Sequence, residues 1–207
     1  MDLFSTLPSL PPDRRWRGQT APVPVAVAFI RRAAEDGEEL LLIRRAGGPY
    51  TGQWALVGGK WDFGETLAES IVREAREETG LTTSFVALRA VVSERVAPWA
   101  DGDLSAHFLL LVCDLVVDDG LAAEQQEGQV AWFGPAAINA LHDEGRVIPS
   151  DYAMIAAFAA AAEHAPYVEV EMRALLDGTA AQPSQMVRFR RHNKEKKETT
   201  DFTDYTD

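Results

Sequence analysis

Between Gly59 and Leu81 the chain reads GKWDFGETLAESIVREAREETGL, which places Glu65, Glu69, Glu74, Glu77 and Glu78 in one short stretch with Arg73 and Arg76 among them. Residues three and four apart are neighbours on a helix, so Glu74, Glu77 and Glu78 project along one edge. Three carboxylates so placed repel one another. One reading is a solvated face softened by pairs such as Arg73 with Glu77. The other is a cradle for a hard divalent cation, which takes carboxylate and carbonyl oxygens. Gly58 and Gly59 serve the cradle, because a chain without side chains can approach a ligand closely and offer a bare carbonyl. Glu65, just before the helix, can fold back toward the same edge.

These residues need a frame. From Thr66 to Thr79 there is no Gly or Pro, strong helix formers dominate, and Gly80 stands where a C-cap sits, so this stretch is expected to be a helix. Leu67, Ala68, Ile71, Val72 and Ala75 fall on one side of it and would face a sheet. The runs PVPVAVAFI (22–30) and ELLLIRRA (39–46) flank an Asp-Gly pair and read as a hairpin. After the loop GGPYTGQ, WALVGG is a short strand, and SFVALRAVVSERV, SAHFLLLVCDLVV and VAWFG are further strands. PAAINAL begins a short helix with Pro135 in its first turn. SDYAMIAAF begins another, capped by Ser150 or Asp151, and YVEVEM (167–172) alternates like an added strand. Strands alternating with helices, with hairpins present, predict an α/β fold with a mixed sheet between helices.

Composition narrows the partners. Of 207 residues, 46% are hydrophobic, enough for one packed core. The single cysteine, Cys113, has no internal disulfide partner, and no paired Cys/His spacing suggests structural zinc, which fits a reducing cytoplasm. Cys113 and His107, inside an alternating strand, read as packing residues. The opening residues lack the basic and apolar regions of a leader, and 151–165 is too short and interrupted to span a bilayer. With 20 Lys+Arg against 32 Asp+Glu, a formal net charge of −12, the chain repels a phosphate backbone, which speaks against general nucleic-acid binding. An acidic site holds a phosphorylated ligand only through an intervening cation.

The stretch 59–81 resembles the Nudix box, G-x5-E-x7-R-E-U-x-E-E-x-G-U, at every specified position: Gly59, Glu65, Arg73, Glu74, Ala75, Glu77, Glu78, Gly80 and Leu81. The resemblance implies a Nudix-type α/β/α sandwich over 21–165. Around it lie an N-terminal arm (1–20), a C-terminal extension (166–190) and a charged tail (191–207) that reads as disordered. It further implies Mg²⁺-dependent hydrolysis of a nucleoside diphosphate linked to another moiety, with Mn²⁺ as a substitute. Glu74, Glu77 and Glu78 would be the metal ligands, with the Gly58 carbonyl and with Glu65 as an outer ligand, while Arg73 would orient the carboxylates. The general base would lie inside the box or in a later loop, where Glu127 is favoured over Glu124 ahead of Trp132; Glu94, Asp101 and Asp103 are weaker candidates. One departure from the family pattern is Val57 where Pro commonly precedes the paired glycines.

For the substrate, a nucleotide sugar such as ADP-ribose is favoured, with a nucleoside triphosphate as the other choice. Tyr50, Trp54, Trp61 and Trp99 offer flat surfaces for a base, at about 1 to 3 kcal/mol per stacked base, although Trp54 reads equally well as core. Arg44 and Arg45 are placed to meet phosphate or ribose. The competing reading is a Nudix-fold domain that binds a nucleotide without cleaving it. A homodimer, swapped through the arm or through the strand at 167–172, stays open.

Overall fold

The computed structural model describes residues 3–35, 37–48, 50–97, 105–160, 163–173, 185–193 and 196–201. Six strands form one sheet: β1 (Val23–Ala34), β2 (Gly37–Arg45), β3 (Trp54–Lys60), β4 (Thr82–Val96), β5 (Ala106–Asp119) and β6 (Gly128–Phe133), in the order β4-β5-β1-β3-β2-β6. The β1–β5 pair is parallel and the other pairs are antiparallel, so the sheet is mixed as expected. The β1–β2 hairpin closes at Ala34 opposite Gly37; Asp36 of the expected turn lies outside the described residues.

Strand β1 pairs with β3 over Val25–Ala28 and with β2 over Arg31–Ala34, while β3 pairs with β2 over Trp54–Leu56. Strands β1 and β3 therefore part company after Ala28 and Val57, and the sheet splits there. One face carries α1 (Leu67–Thr79), whose Leu67, Ile71 and Ala75 are fully buried against Ala28, Leu41, Val57 and Cys113. The other carries α2 (Pro135–Asp143) and α3 (Pro149–Phe158), which bury Ile138, Leu141, Met154 and Ile155 against Phe29, Leu42, Leu56 and Val112. Strands covered on both faces read as continuous apolar runs, which is why ELLLI shows no alternation. Each fully buried Leu or Ile contributes about 1.5–3 kcal/mol.

Helix α1 has both of its stops. Thr66 and Glu69 form a reciprocal capping box, and Gly80 closes the C-terminus in the left-handed region at φ 73. Glu69 is thereby spent on the helix start. For α3 the expected cap by Ser150 or Asp151 is corrected: Pro149 is its first residue and Ile148 its N-cap, with no side-chain cap. Ile148 has no side-chain oxygen to offer the first amides, and Asp151 turns inward instead.

The arm is ordered as three short 3₁₀ turns, Leu3–Ser9, Pro12–Arg14 and Trp16–Gly18. It is tied to β5 by the Trp16 amide donating to the Ser105 carbonyl at 2.8 Å and by a Trp16–Phe108 ring contact. Beyond the main sheet, β7 (Tyr167–Arg173), β8 (Gln185–Asn193) and β9 (Lys196–Asp201) form a second, antiparallel sheet. The stretch expected to be a charged tail thus includes the end of β8 and all of β9. Opposite charges meet across this second sheet, as at Arg188 with Glu171, 2.8 Å apart. A strand polar throughout carries no apolar period by which to recognise it.

Beside the end of α3, the buried Asp114 collects three basic side chains. Arg31 Nη1 reaches it at 3.0 Å, Arg89 grips it through Nε at 3.1 Å and through Nη2, and His164 Nε2 lies 2.6 Å away. Arg89 also donates to the Phe158 carbonyl at 3.0 Å. Among the described residues no helix is long and apolar enough to cross a membrane.

Candidate active site

The end of β3 and the outer edge of α1 meet without intervening side chains. A Cβ on Gly59 would lie 2.4 Å from the Glu74 carboxyl carbon, and one on Gly58, at φ +154, would lie 2.2 Å from the Ala26 carbonyl oxygen. Gly59 must be glycine for the helix edge to come this close, and Gly58 for the backbone of β1 to do so. The Gly58 amide then donates to Glu78 Oε2 at 2.8 Å.

Arg73 organises the remaining acids. Its Nε and Nη2 form a fork on Glu65 at 2.7 and 2.9 Å, and its Nη1 donates to Glu74 Oε1 at 2.7 Å and to Glu77 Oε2 at 3.2 Å. Nη2 also reaches the Lys60 carbonyl at 3.3 Å, and Asp62 stands 3.9 Å away. The Trp61 indole N–H holds the loop by donating to the Glu65 carbonyl at 2.9 Å. Such paired forks fix geometry as well as charge. Hydrogen bonding to Arg73 keeps the Glu65 carboxyl below its ordinary range, and the carboxylates in turn push Arg73 up.

The other acids bear the strain of crowding. Burial, then Glu77 and Glu127, push Glu74 up against the pull of Arg73. Burial also pushes Glu78 up, to about 9, and Glu127 and Glu74 add to this against the Gly58 amide. Glu127, in the loop before β6, therefore sits with its carboxylate beside Glu78. Its place follows from β2–β6 pairing, since Gly128 is paired with Arg45 and the Ala46 amide donates to the Glu127 carbonyl at 3.1 Å.

A hard divalent cation fits this donor set by its chemistry: all oxygen, anionic, and with carboxyls whose mutual repulsion a cation would relieve. Even so, among the described residues no three acidic, His or Cys side chains converge as a metal site. Here Glu74 and Glu77 are turned to Arg73, Glu78 to the Gly58 amide, and both oxygens of Glu65 to Arg73.

The proposed substrate contacts divide. Trp54 is corrected: at 6% exposure it packs edge-on against Phe133 in the α2/α3 core and offers no face to a base. Trp99, Asp101 and Asp103 lie outside the described residues. Trp61 is partly buried against the α1 core. Tyr50 is exposed, with φ 65, a left-handed conformation uncommon for a residue with a side chain. Arg44 is exposed and donates to the Gly52 carbonyl at 3.1 Å, and Arg45 lies within electrostatic reach of Asp151.

Asp151 is the residue that reading the sequence missed. It is buried in the split of the sheet, where it accepts from the Leu56 amide that β1 no longer covers, with Glu94, Arg45 and Tyr50 around it. Burial, then Glu94, pushes its carboxyl up to about 8. Its neighbours Pro149 and Ser150 give it the look of a helix cap, and only the tertiary split reveals the inward turn.

A family model described as the NUDIX domain matches residues 22–157. An ADP-ribose pyrophosphatase of Methanocaldococcus jannaschii is 38% identical over 99 residues, covering 48% of this chain and 56% of that protein. A nucleoside triphosphatase, NudI, of Enterobacter sp. (strain 638) is 31% identical over 99 residues, covering 45% of this chain and 70% of that one. The chain thus spans little more than half the length of the first relative. Among solved structures, a Nitrosomonas europaea NUDIX hydrolase superposes with a TM-score of 0.50 at 20% identity, covering 66% of this chain and 87% of that one, a likeness of fold.

Proposed function

Since the chain belongs to the Nudix family, we propose that it is a Mg²⁺-dependent pyrophosphohydrolase. It would cleave a nucleoside diphosphate linked to another moiety, with ADP-ribose or a related nucleotide sugar as the favoured substrate class. The observation that carries this reading is the Arg73 fork, which holds Glu65, Glu74 and Glu77 on one edge, with Glu74 packed on Gly59 and Glu78 set between the Gly58 amide and Glu127. The relative named ADP-ribose pyrophosphatase supports the substrate class, and the one named nucleoside triphosphatase keeps nucleoside triphosphates as the second choice.

Glu74, Glu77 and Glu78 would hold the cation with the Gly58 carbonyl, and Glu65 would sit outside them. A bound cation supplies charge neutralisation on the pyrophosphate and a lower pKa for water. The chain's own residues do the rest. Arg73 fixes the rotamers of the acids through its fork. Glu127, held beside Glu78 in the loop before β6, is the base that takes a proton from the attacking water. Arg45, paired with Gly128 next to Glu127, would meet the phosphates, and Tyr50 in the β2–β3 loop would meet the nucleobase.

Product chromatography after incubation with ADP-ribose, NADH, diadenosine polyphosphates and nucleoside triphosphates, with Mg²⁺ and with EDTA, tests the proposal. Cleavage restricted to Mg²⁺ is expected, with ADP-ribose fastest. Glu77→Gln should slow turnover by about 100-fold or more, several kcal/mol of transition-state stabilisation, with little change in Tm. Full activity in that variant would defeat the ligand assignment.

A further inference from the structure

Tyr167 opens β7 outside the stretch matched by the family model, yet its hydroxyl oxygen accepts from the amide of Leu67, the first residue of α1, at 3.2 Å. We propose that Tyr167 is a positioning residue for the acidic edge of α1, and that the β7–β8 hairpin is the clamp that carries it. The proposal rests on the reading of that edge as a metal site.

The first amides of a helix have no partner within it. The Thr66 hydroxyl takes the Glu69 amide at 3.2 Å, and the Thr66 carbonyl takes the Ser70 amide at 3.0 Å. Leu67 is fully buried, so its amide cannot turn to water, and the Tyr167 oxygen is its acceptor. The same hydroxyl donates to Glu169 Oε1 at 3.1 Å, and Glu169 Oε2 lies 3.2 Å from His192 Nε2 on β8. The hydroxyl thus has a defined direction, with its proton toward Glu169 and its lone pair toward the helix.

The clamp is anchored on the main domain. The Tyr167 ring meets Phe85 of β4 at 5.9 Å and His192 at 5.1 Å, and Phe85 meets His192 at 5.3 Å. Just before β7, the Ala165 amide donates to the Leu88 carbonyl at 2.9 Å, and His164 is bound to Asp114. What the clamp fixes is the junction between the loop and the helix. Glu65 stands two residues before Leu67, and its carboxylate sets the Arg73 guanidinium that holds Glu74 and Glu77. A loosened Leu67 lets Glu65 drift, and the disorder passes through Arg73 to the acidic edge.

The variant Tyr167→Phe removes the hydroxyl and keeps the ring. Binding of Mn²⁺ alone, followed by the electron paramagnetic resonance of the free ion well below Tm, should weaken by about three- to tenfold, as for one lost buried hydrogen bond. Hydrogen exchange at amides 66–70 should quicken while circular dichroism stays unchanged. A variant that lowers Tm but binds Mn²⁺ like the wild type would show a merely structural tyrosine and overturn the clamp alone. A wild type that binds no Mn²⁺ would overturn the metal reading together with it.

Discussion

Two charge clusters built on arginine lie in this fold, and they are opposites. At Asp114 one carboxylate is met by Arg31, Arg89 and His164, all in direct contact and mostly buried. On α1 one guanidinium is met by Glu65, Glu74 and Glu77, with Glu78 and Glu127 close by. Burial pushes Asp114 up, but its hydrogen bonds to Arg89 and His164 and the charges of Arg31 and Arg89 outweigh burial and hold it below the ordinary carboxylate range. At the helix edge the balance tips the other way, and Glu74 and Glu78 are pushed up. A cluster in which partners satisfy the charge holds a fold together. One with an excess of a single sign, left at an edge, is poised for a ligand.

The largest expected separation comes from matched variants. Glu78→Gln should cut turnover by about 100-fold or more, whereas its stability should rise above neutral pH, because there the carboxylate it replaces must take up a proton to enter its buried place. Asp114→Asn should do the reverse, costing about 3–5 kcal/mol in urea unfolding by stranding buried cations. Equal losses of stability in both variants would erase the distinction.

The pH dependence sharpens it further. For Glu78 the folded value of about 9 lies above its ordinary value of 4.5, so the native state keeps a proton that the unfolded chain sheds. Its stabilising effect is full below pH 4.5 and is lost as pH rises toward 9. Asp151, at about 8 against 3.8, behaves alike and loses its contribution over that interval. Asp114, depressed, contributes above the ordinary carboxylate range and loses its contribution as pH falls through its lowered value. In EDTA, Tm should therefore be higher near pH 5 than near pH 9. Asp151→Asn should recover about 1–3 kcal/mol at the alkaline end; a flat profile between the two pH values would contradict the buried, protonated carboxyls.

A smaller effect is expected from Arg73→Lys. An ammonium keeps the charge but cannot fork to Glu65 while reaching Glu74 and Glu77. Turnover should fall by about tenfold, roughly one lost charged hydrogen bond, with a steeper dependence on added Mg²⁺. An unchanged Mg²⁺ dependence would mean that the fork does not order the ligands.

The contrast also explains what could be read in advance. Helix α1, its stops and its acidic edge are local, set by residues three or four apart, and the strands around it show singly as apolar runs between turns. Glu127 was legible only as one of two acids before a strand; its nearness to Glu78 is made by the tertiary fold. Trp54 could not be placed, because an aromatic beginning a strand serves core or ligand equally until the other side of the sheet is known. Asp114, Arg89 and Arg31 sit singly in apolar strands, and their meeting is made by strand order alone. Tyr167 and β8 gave no signal of a role at the helix start, 100 residues away in the chain from Leu67.

Arg73 has a last consequence, for kinetics. Glu74 and Glu77 each leave a guanidinium before they can turn to anything else; for the exposed Glu77 the move is a side-chain rotation, which takes picoseconds to nanoseconds, while Glu74 turns within packed surroundings. The backbone at Gly58 and Gly59 is already in place. The site would open and shut by exchange of partners with the fold held still.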